Sequence, residues 1–357
     1  MNTQSASTAE KHPGISYPFN TKPEDGQIIA VASGVYWARL PLGGTLSHIN
    51  IWAIEVDDGW AIVDTGLYTE ATIAVWERLL TEGLNNRPIK AIYVTHMHPD
   101  HVGMAGWLQR RFGCRFHMTA LEYMNCRVLM NDTGKEAPDA AIAFYHNAGW
   151  DDEAIAIYRK RFGGFGRVIS EPPESYFRLR DEMSLQIGAH SWTIVIGSGH
   201  SPEHACLYSS ELGLLISGDQ VLPRISSNVS VYPTEPEANP LDFWLKSLTK
   251  VRQIVPDSVL VLPAHNEPFH GLHARIDTLI EGHLKGLNQL QDILQKPQRA
   301  IDVFPALFHR KIGIDPIMLS LATGEALAHL NYLIAKKLVT IEMDADGIKW
   351  YSYQPNM

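Results

Sequence analysis

The seven residues Thr95-His96-Met97-His98-Pro99-Asp100-His101 constrain this chain more than any other stretch. Three imidazoles and a carboxylate, in the order His-x-His-x-Asp-His, follow directly on the apolar run Ile89 to Val94. Alternate residues of an extended segment share a face, so a strand ending here sends His96 and His98 one way. Asp100 and His101 then fall where the chain turns toward the following helix. Two pairs of ligands leaving one loop in different directions suit two metal ions held side by side. Neutral imidazole with carboxylate suits zinc, with iron or manganese as second choices. A histidine is often only a hydrogen-bonded core residue, but three beside an aspartate at this density do not fit that reading.

The rest of the chain supplies further ligands. Gly199-His200-Ser201-Pro202-Glu203-His204 follows the strand-like run Trp192 to Ile196. Leu214 to Gly218 reads as a strand with Asp219 at its end, and Val259 to Ala264 as a strand ending in His265. Each candidate sits where a hydrophobic strand runs out, which is where α/β folds gather their sites. Taken singly, His200, Asp219 or His265 would read as structural; in this order after His-x-His-x-Asp-His they read as ligands.

On these residues, together with Asp64-Thr65-Gly66 in an early strand-to-helix turn, the chain resembles the metallo-β-lactamase-fold superfamily of metallohydrolases, from about Gln27 to Arg275. Within it, the chain resembles the hydroxyacylglutathione hydrolase-like branch. The resemblance implies an α/β architecture: a four-layer αββα sandwich with the metals at one edge. It implies that His96, His98 and His200 hold the first metal and Asp100, His101 and His265 the second. Asp219 would bridge them, beside a bridging water or hydroxide. The best-known zinc β-lactamases carry cysteine where Asp219 stands, which disfavours antibiotic hydrolysis. Oxygen-reducing di-iron relatives have glutamate in place of the second histidine of the motif, and His98 departs from that too. Lactonases of the fold often place tyrosine three residues after the bridging aspartate, where this chain has Leu222. Many relatives have glycine where Glu203 stands, so a charge is expected near the site.

The chemistry follows from the cluster itself. A metal lowers the pKa of bound water from about 15.7 to about 7, and a second polarises a carbonyl or phosphoryl oxygen. The expectation is a hydrolase with two divalent metal ions and a metal-bridging hydroxide, cleaving a small ester-like substrate such as a thioester or lactone. Asp100 and Asp219 are the catalytic candidates, Asp100 as a proton acceptor or relay. Asp64 either orients a ligand histidine or caps a helix start. Two other classes stay open: a phosphodiesterase or nuclease with the same metals, and a non-catalytic binding protein in which the metals are structural.

Organisation along the chain is uneven. Residues 1–26 read as a polar, flexible arm, without the basic and apolar regions of a signal peptide. Residues 27–296 form the expected catalytic domain. Within it, residues 119–166 form a helical, lid-like insertion, broken at Asn131-Asp132-Thr133-Gly134 and ended by the flexible run Gly163-Gly164-Phe165-Gly166. Some of its aromatic and Met residues, among them Tyr123, Met124, Tyr145 and Trp150, are expected to line the substrate site. The irregular stretch 221–239 passes near the metals, with Arg224 as a candidate substrate-anion contact and Tyr232 beside it.

Residues 297–357 read as a separate module. Asp315-Pro316 starts a helix, Thr323 caps a second one, and Val339 to Met343 pairs with Ile348 to Tyr353. This order resembles a winged helix, but from Ala300 onward acidic residues outnumber basic ones six to five, and the whole chain carries a net charge of -9. Nucleic-acid binding depends on Lys and Arg neutralising phosphates, so the partner is expected to be a small-molecule substrate and the module a packing or dimerisation element, consistent with a homodimer. The longest apolar runs fall short of the roughly 20 residues that span a bilayer. Three cysteines, Cys114, Cys126 and Cys206, form no metal pair and suit a reducing cytoplasm.

Overall fold

The computed structural model describes residues 14–308, 312–313 and 315–354. Residues 1–13 of the expected arm and 309–311 of the C-terminal module lie outside them. One sheet holds β1 (Ile29–Ala32), β2 (Val35–Pro41), β3 (His48–Val56), β4 (Gly59–Val63), β5 (Ile89–Tyr93), β6 (Arg115–Met118) and β7 (Phe177–Arg178), side by side in chain order. Its first four strands pair antiparallel and the rest parallel. The other holds β8 (Ser184–Ile187), β9 (His190–Gly197), β10 (His204–Ser209), β11 (Leu214–Gly218) and β12 (Leu260–Pro263), with β11 and β12 parallel and the others antiparallel.

Strand periodicity builds the layers. On β3, Trp52 and Ile54 enter a core shared with Ile194, Leu207, Ile216 and Leu262 of the other sheet. Their neighbours Ile49, Ile51 and Ala53 face outward, into a second core with Val75, Trp76 and Leu108. Those last residues lie on α1 (Glu70–Arg78) and on α3 (Ala105–Phe112), which follows the single turn α2 (Pro99–Val102). The second sheet alternates likewise: Leu214 and Ile216 point in, while Leu215 packs outward with Trp244, Leu248 and Ile276. The result is a helix–sheet–sheet–helix sandwich, apolar on both faces of both sheets.

The insertion carries α4 (Ala120–Asn131), α5 (Asp139–Asn147) and α6 (Asp152–Arg161); the remaining helices are α7 (Pro240–Ile254), α8 (Leu272–Ile293), the short α9 (Phe304–Leu307) and α10 (Pro316–Ala335). The insertion is not a loose lid. Tyr145, Trp150 and Ile155 form a buried cluster with Leu319 of α10 against them, and Trp150 Nε1 donates to Thr323 Oγ1 at 2.9 Å. Two of its glycines serve close packing, since a Cβ at Gly163 would meet the carbonyl of Asp132 and one at Gly166 the Thr133 hydroxyl.

Three expectations need correction. Residues 14–26 are packed, not free: Ser16 pairs with His270, the Phe19 ring lies 6.0 Å from Trp37, and Lys22 meets Glu267 at 2.5 Å. Thr323 caps no second helix, because its hydroxyl donates to Leu319 O one turn back at 2.8 Å inside a continuous α10. A single 20-residue helix followed by the hairpin of β13 (Val339–Met343) and β14 (Lys349–Tyr353) therefore replaces the expected pair of helices before a wing. That helix is also apolar enough to cross a bilayer by length and composition, yet half of it is buried. Ala326, Leu330 and Leu333 explain why, since they sit in the core beside α8.

Between α8 and α10 lies a buried histidine pair. His283 Nδ1 is 3.3 Å from His329 Nε2, and His329 Nδ1 donates to Glu325 O at 2.8 Å. Burial holds His283 at about 3 and His329 at about 4. Both bases are thus depressed in the folded chain, so stability is complete above the ordinary histidine value near 6.5 and falls as pH drops from there toward 4. Each group contributes at most about 1.4 kcal/mol per pH unit in that window. His283→Leu should flatten the acid limb by up to that amount in denaturant unfolding at pH 7.5, 6.0 and 5.0. An unchanged slope would count against the pair.

Candidate metal centre

All seven candidate ligands leave strand ends at one edge of the sandwich. His96 and His98 follow β5, Asp100 and His101 lie on α2, His200 follows β9, Asp219 follows β11 and His265 follows β12. Two parallel pairings, β4 with β5 and β11 with β12, bring carboxyl ends of strands to that edge. The side chains form two groups with ligand atoms within 4.8 Å of one another: His96, His98, His200 and Asp219 in one, Asp100, His101 and His265 in the other. Asp219 belongs to both by distance. Its Oδ2 lies 3.3 Å from His200 Nε2 and 3.6 Å from His101 Nε2, and its Oδ1 lies 3.4 Å from His265 Nε2.

The outer hydrogen bonds decide which nitrogen of each ring faces inward. His200 Nδ1 donates to Asn228 O at 2.7 Å, His101 Nδ1 to Asp64 Oδ2 at 2.7 Å, and His265 Nδ1 to His48 O at 3.3 Å. Thr95 gives its hydroxyl proton to Asp64 at 2.9 Å and so accepts from His96 Nδ1 at 3.1 Å. Each of these four rings therefore turns Nε2 inward, the nitrogen that ligates when the ring is neutral. The lone pairs of His96 and His200 face each other at 3.2 Å, where two acceptors form no hydrogen bond. Tetrahedral zinc with Zn–N of about 2.0–2.1 Å would set two imidazole nitrogens roughly 3.3 Å apart. The buried His101 Nε2 and Asp219 Oδ1 likewise have no hydrogen-bond partner. A cation between these atoms satisfies them, so the donor set fits two metal ions.

Electrostatics separates the groups. Burial, then the neighbouring imidazoles, hold His96 well down, and burial with His200 holds His98 at about 3, so both stay in the neutral, ligating form. At the other group burial pushes His101 down, but Asp64, Asp100 and Asp219 outweigh it and raise it well above the ordinary value. Burial also works against the charged form of Asp100, yet His101 and His265 bring its carboxyl down to about 2. This half of the site is rich in negative charge and calls for a cation.

The other candidates scatter. Asp64 stands at φ +62° with a carboxylate that accepts from Thr95 N at 2.8 Å as well as from His101. It caps no helix; that place before α1 belongs to Thr69. Arg224 is not free for a substrate anion, because its Nε pairs with Glu267 at 3.1 Å and its guanidinium stacks 4.4 Å from the Tyr17 ring. Tyr232 is 40% exposed. Of the insertion aromatics, Tyr123, Tyr145 and Trp150 are buried in packing and Met124 is exposed. The charge of Glu203 turns outward, its Oε2 accepting the Leu121 N–H at 2.9 Å.

Sequence reasoning missed His204, whose buried Nε2 accepts the N–H of Asp219 at 3.0 Å and so fixes the backbone of that residue. Its place four residues after His200 was a usable signal. Asn228 lies on the stretch 221–239 expected near the metals, but its particular role was not legible, since it acts through its carbonyl.

The sequence profile described as Metallo-beta-lactamase superfamily matches residues 44–265, and one described as Metallo-beta-lactamase-like, C-terminal domain matches residues 287–354. A crystal structure of a beta-lactamase domain protein from Burkholderia ambifaria is 38% identical, covers 95% of this chain and 98% of its own, and superposes with a TM-score of 0.87. A probable metallo-hydrolase, YqjP, of Bacillus subtilis is 23% identical over 85% of this chain and 92% of its own length. The acyl-coenzyme A thioesterase MBLAC2 of Gallus gallus is 24% identical over 67% of this chain and 80% of its own length.

Proposed function

We propose that this chain, which belongs to the metallo-beta-lactamase superfamily, is a hydrolase of two divalent metal ions that cleaves a small ester-like substrate, a thioester before a lactone. The observation that carries the reading is Asp219, whose two carboxylate oxygens face imidazoles of both ligand groups. Support for a thioester comes from the likeness to an acyl-coenzyme A thioesterase. Leu222, buried where related lactonases often place a tyrosine, counts against a lactone.

When bound, such ions lower the pKa of water from about 15.7 to about 7 and draw charge off a carbonyl oxygen. The chain supplies the rest. Asp64 and the carbonyls of Asn228 and His48 hold His101, His200 and His265 in the ligating tautomer and orientation. Asp100 is the more open carboxylate, 21% exposed at its side chain against 10% for Asp219. Its Oδ2 faces His265 at 3.3 Å, which leaves Oδ1 to take a proton and pass it to the leaving group. Beside His265, Lys22, Arg39, Ser47, His48 and Asn266 line a cleft of about 100 Å³. With Lys22 paired to Glu267, this reading assigns Arg39, rather than Arg224, to a substrate carboxylate or phosphate.

Zinc-loaded protein tested on S-acyl glutathione, acyl-coenzyme A, acyl lactones, a β-lactam and bis-aryl phosphodiesters should turn over the thioesters, and a chelator should abolish that turnover. Turnover confined to phosphodiesters would replace this reading with a phosphodiesterase. No turnover of any substrate at full metal load would point to a non-catalytic binding protein.

A further inference from the structure

Glu122 lies in the first turn of α4, in the insertion rather than in the strand framework, and is fully buried. A buried carboxylate is normally matched by a cation, yet among the described residues Glu122 has no Lys, Arg or His in ion-pair contact. Its carboxylate is held chiefly by two backbone amides, with the Ser201 hydroxyl beside it. Oε2 accepts the N–H of Met97 at 2.9 Å, and Oε1 accepts the N–H of Glu203 at 2.7 Å. Met97 stands between His96 and His98, and Glu203 stands between His200 and His204. These two loops continue strands of different sheets, β5 and β9.

The second loop grips back. Glu203 Oε2 accepts the N–H of Leu121 at 2.9 Å, and Thr119 Oγ1 donates to Glu203 O at 2.8 Å. Side chain and backbone of Glu203 are thus both committed to the start of α4, where a negative charge also suits the helix end. Glu122 alone reaches across to the first loop as well.

We propose that Glu122 is a positioning residue whose carboxylate sets the spacing of His96 and His98 against His200, so that the insertion braces the first metal group. The chemistry demands a carboxylate of this length. Two N–H donors need two acceptor oxygens; glutamine offers one oxygen and turns an NH2 toward the other N–H. Aspartate falls one methylene short of both. The second group has no such brace: Asp64 and His48 O hold it from the strand framework.

The inference rests on the two-metal reading, and the test separates the two. Zinc affinity is measured by competition with a chromophoric chelator for wild type, Glu122→Gln, Glu122→Asp and Tyr123→Phe, with thermal unfolding of the metal-free proteins alongside. Tyr123→Phe, at the next residue of the same helix, removes hydroxyl bonds to Pro173 O and Glu174 O at 2.8 and 2.9 Å and one from Arg127 at 3.1 Å, none of them to either loop, so it controls for stability. Wild type should bind two zinc ions. Either Glu122 variant should weaken one of them by roughly 10–100-fold, the loss typical of groups that orient metal ligands, and leave the other within about threefold. Tyr123→Phe should leave both unchanged. If Glu122→Gln does not fold, Glu122→Asp alone decides. Both ions held within threefold in a Glu122 variant, or equal losses in the Glu122 and Tyr123 variants, would overturn the brace. Fewer than two zinc ions in wild type would overturn the two-metal reading and the brace with it.

Discussion

Replacing Asp219 with alanine is expected to lower kcat/KM by at least about a thousandfold, equivalent to roughly 4 kcal/mol of lost transition-state stabilisation. No other candidate ligand is shared between the groups. Its oxygens lie 3.3–3.6 Å from the inward nitrogens of His200, His101 and His265, so the substitution takes a ligand from both groups at once. Asp100→Asn removes the charge of one ligand in one group and should leave more of the metal in place. Metal content by mass spectrometry together with steady-state kinetics on the thioester found active in wild type distinguishes the two. Asp219→Ala should fall below one metal per chain, while Asp100→Asn should keep most of its metal and still lose turnover. Full metal load and unchanged kcat/KM in Asp219→Ala would mean that the shared carboxylate is not the link between the groups.

The clustering of the candidate site was legible in the sequence because its candidate ligands obey local rules. His96, His98, His200, Asp219 and His265 all stand within a few residues of a strand's end, and an apolar run announces each strand. The sandwich was legible for a related reason: on β3 and β11 the residues alternate between two cores, and that period of two is written in the chain. What stayed hidden was settled by contacts across long sequence separations. Glu122 reads as an ordinary helical residue until Met97 and Glu203 are brought against it. Thr323 reads as a cap, because nothing local shows that Trp150, 173 residues away, takes its hydroxyl inside a continuous helix. Arg224 reads as an anion contact until Glu267 and Tyr17 close on it. The glycine run at 163–166 reads as flexible, since sequence does not distinguish a glycine that must bend from one that must let a neighbour close.

Gly199→Ala should destabilise the chain by about 3 kcal/mol and lower occupancy of the His96, His98 and His200 group. The reasons are separable. Gly199 has φ +114°, a conformation that costs an ordinary residue about 1–3 kcal/mol. Its Cβ would also fall 2.5 Å from Trp244 Cβ, and 2.7 Å from both Trp244 Cα and Pro240 O. Those atoms are the root of a side chain and the backbone of α7, so no side-chain tip can swing away. Trp244 is fully buried in the core that α7 shares with the second sheet, so α7 is held there and the loop must give. The loop carries His200 as its next residue, and moving it breaks the 2.7 Å bond of His200 to Asn228 O that aims the ring. Gly213→Ala is the control: φ is +61°, again left-handed, but the new Cβ meets nothing within 4 Å. It should cost about 1 kcal/mol and leave metal content alone. Denaturant unfolding and metal analysis of the two variants separate backbone strain from contact, and equal losses in both would show that the closeness of α7 to the His200 loop plays no part.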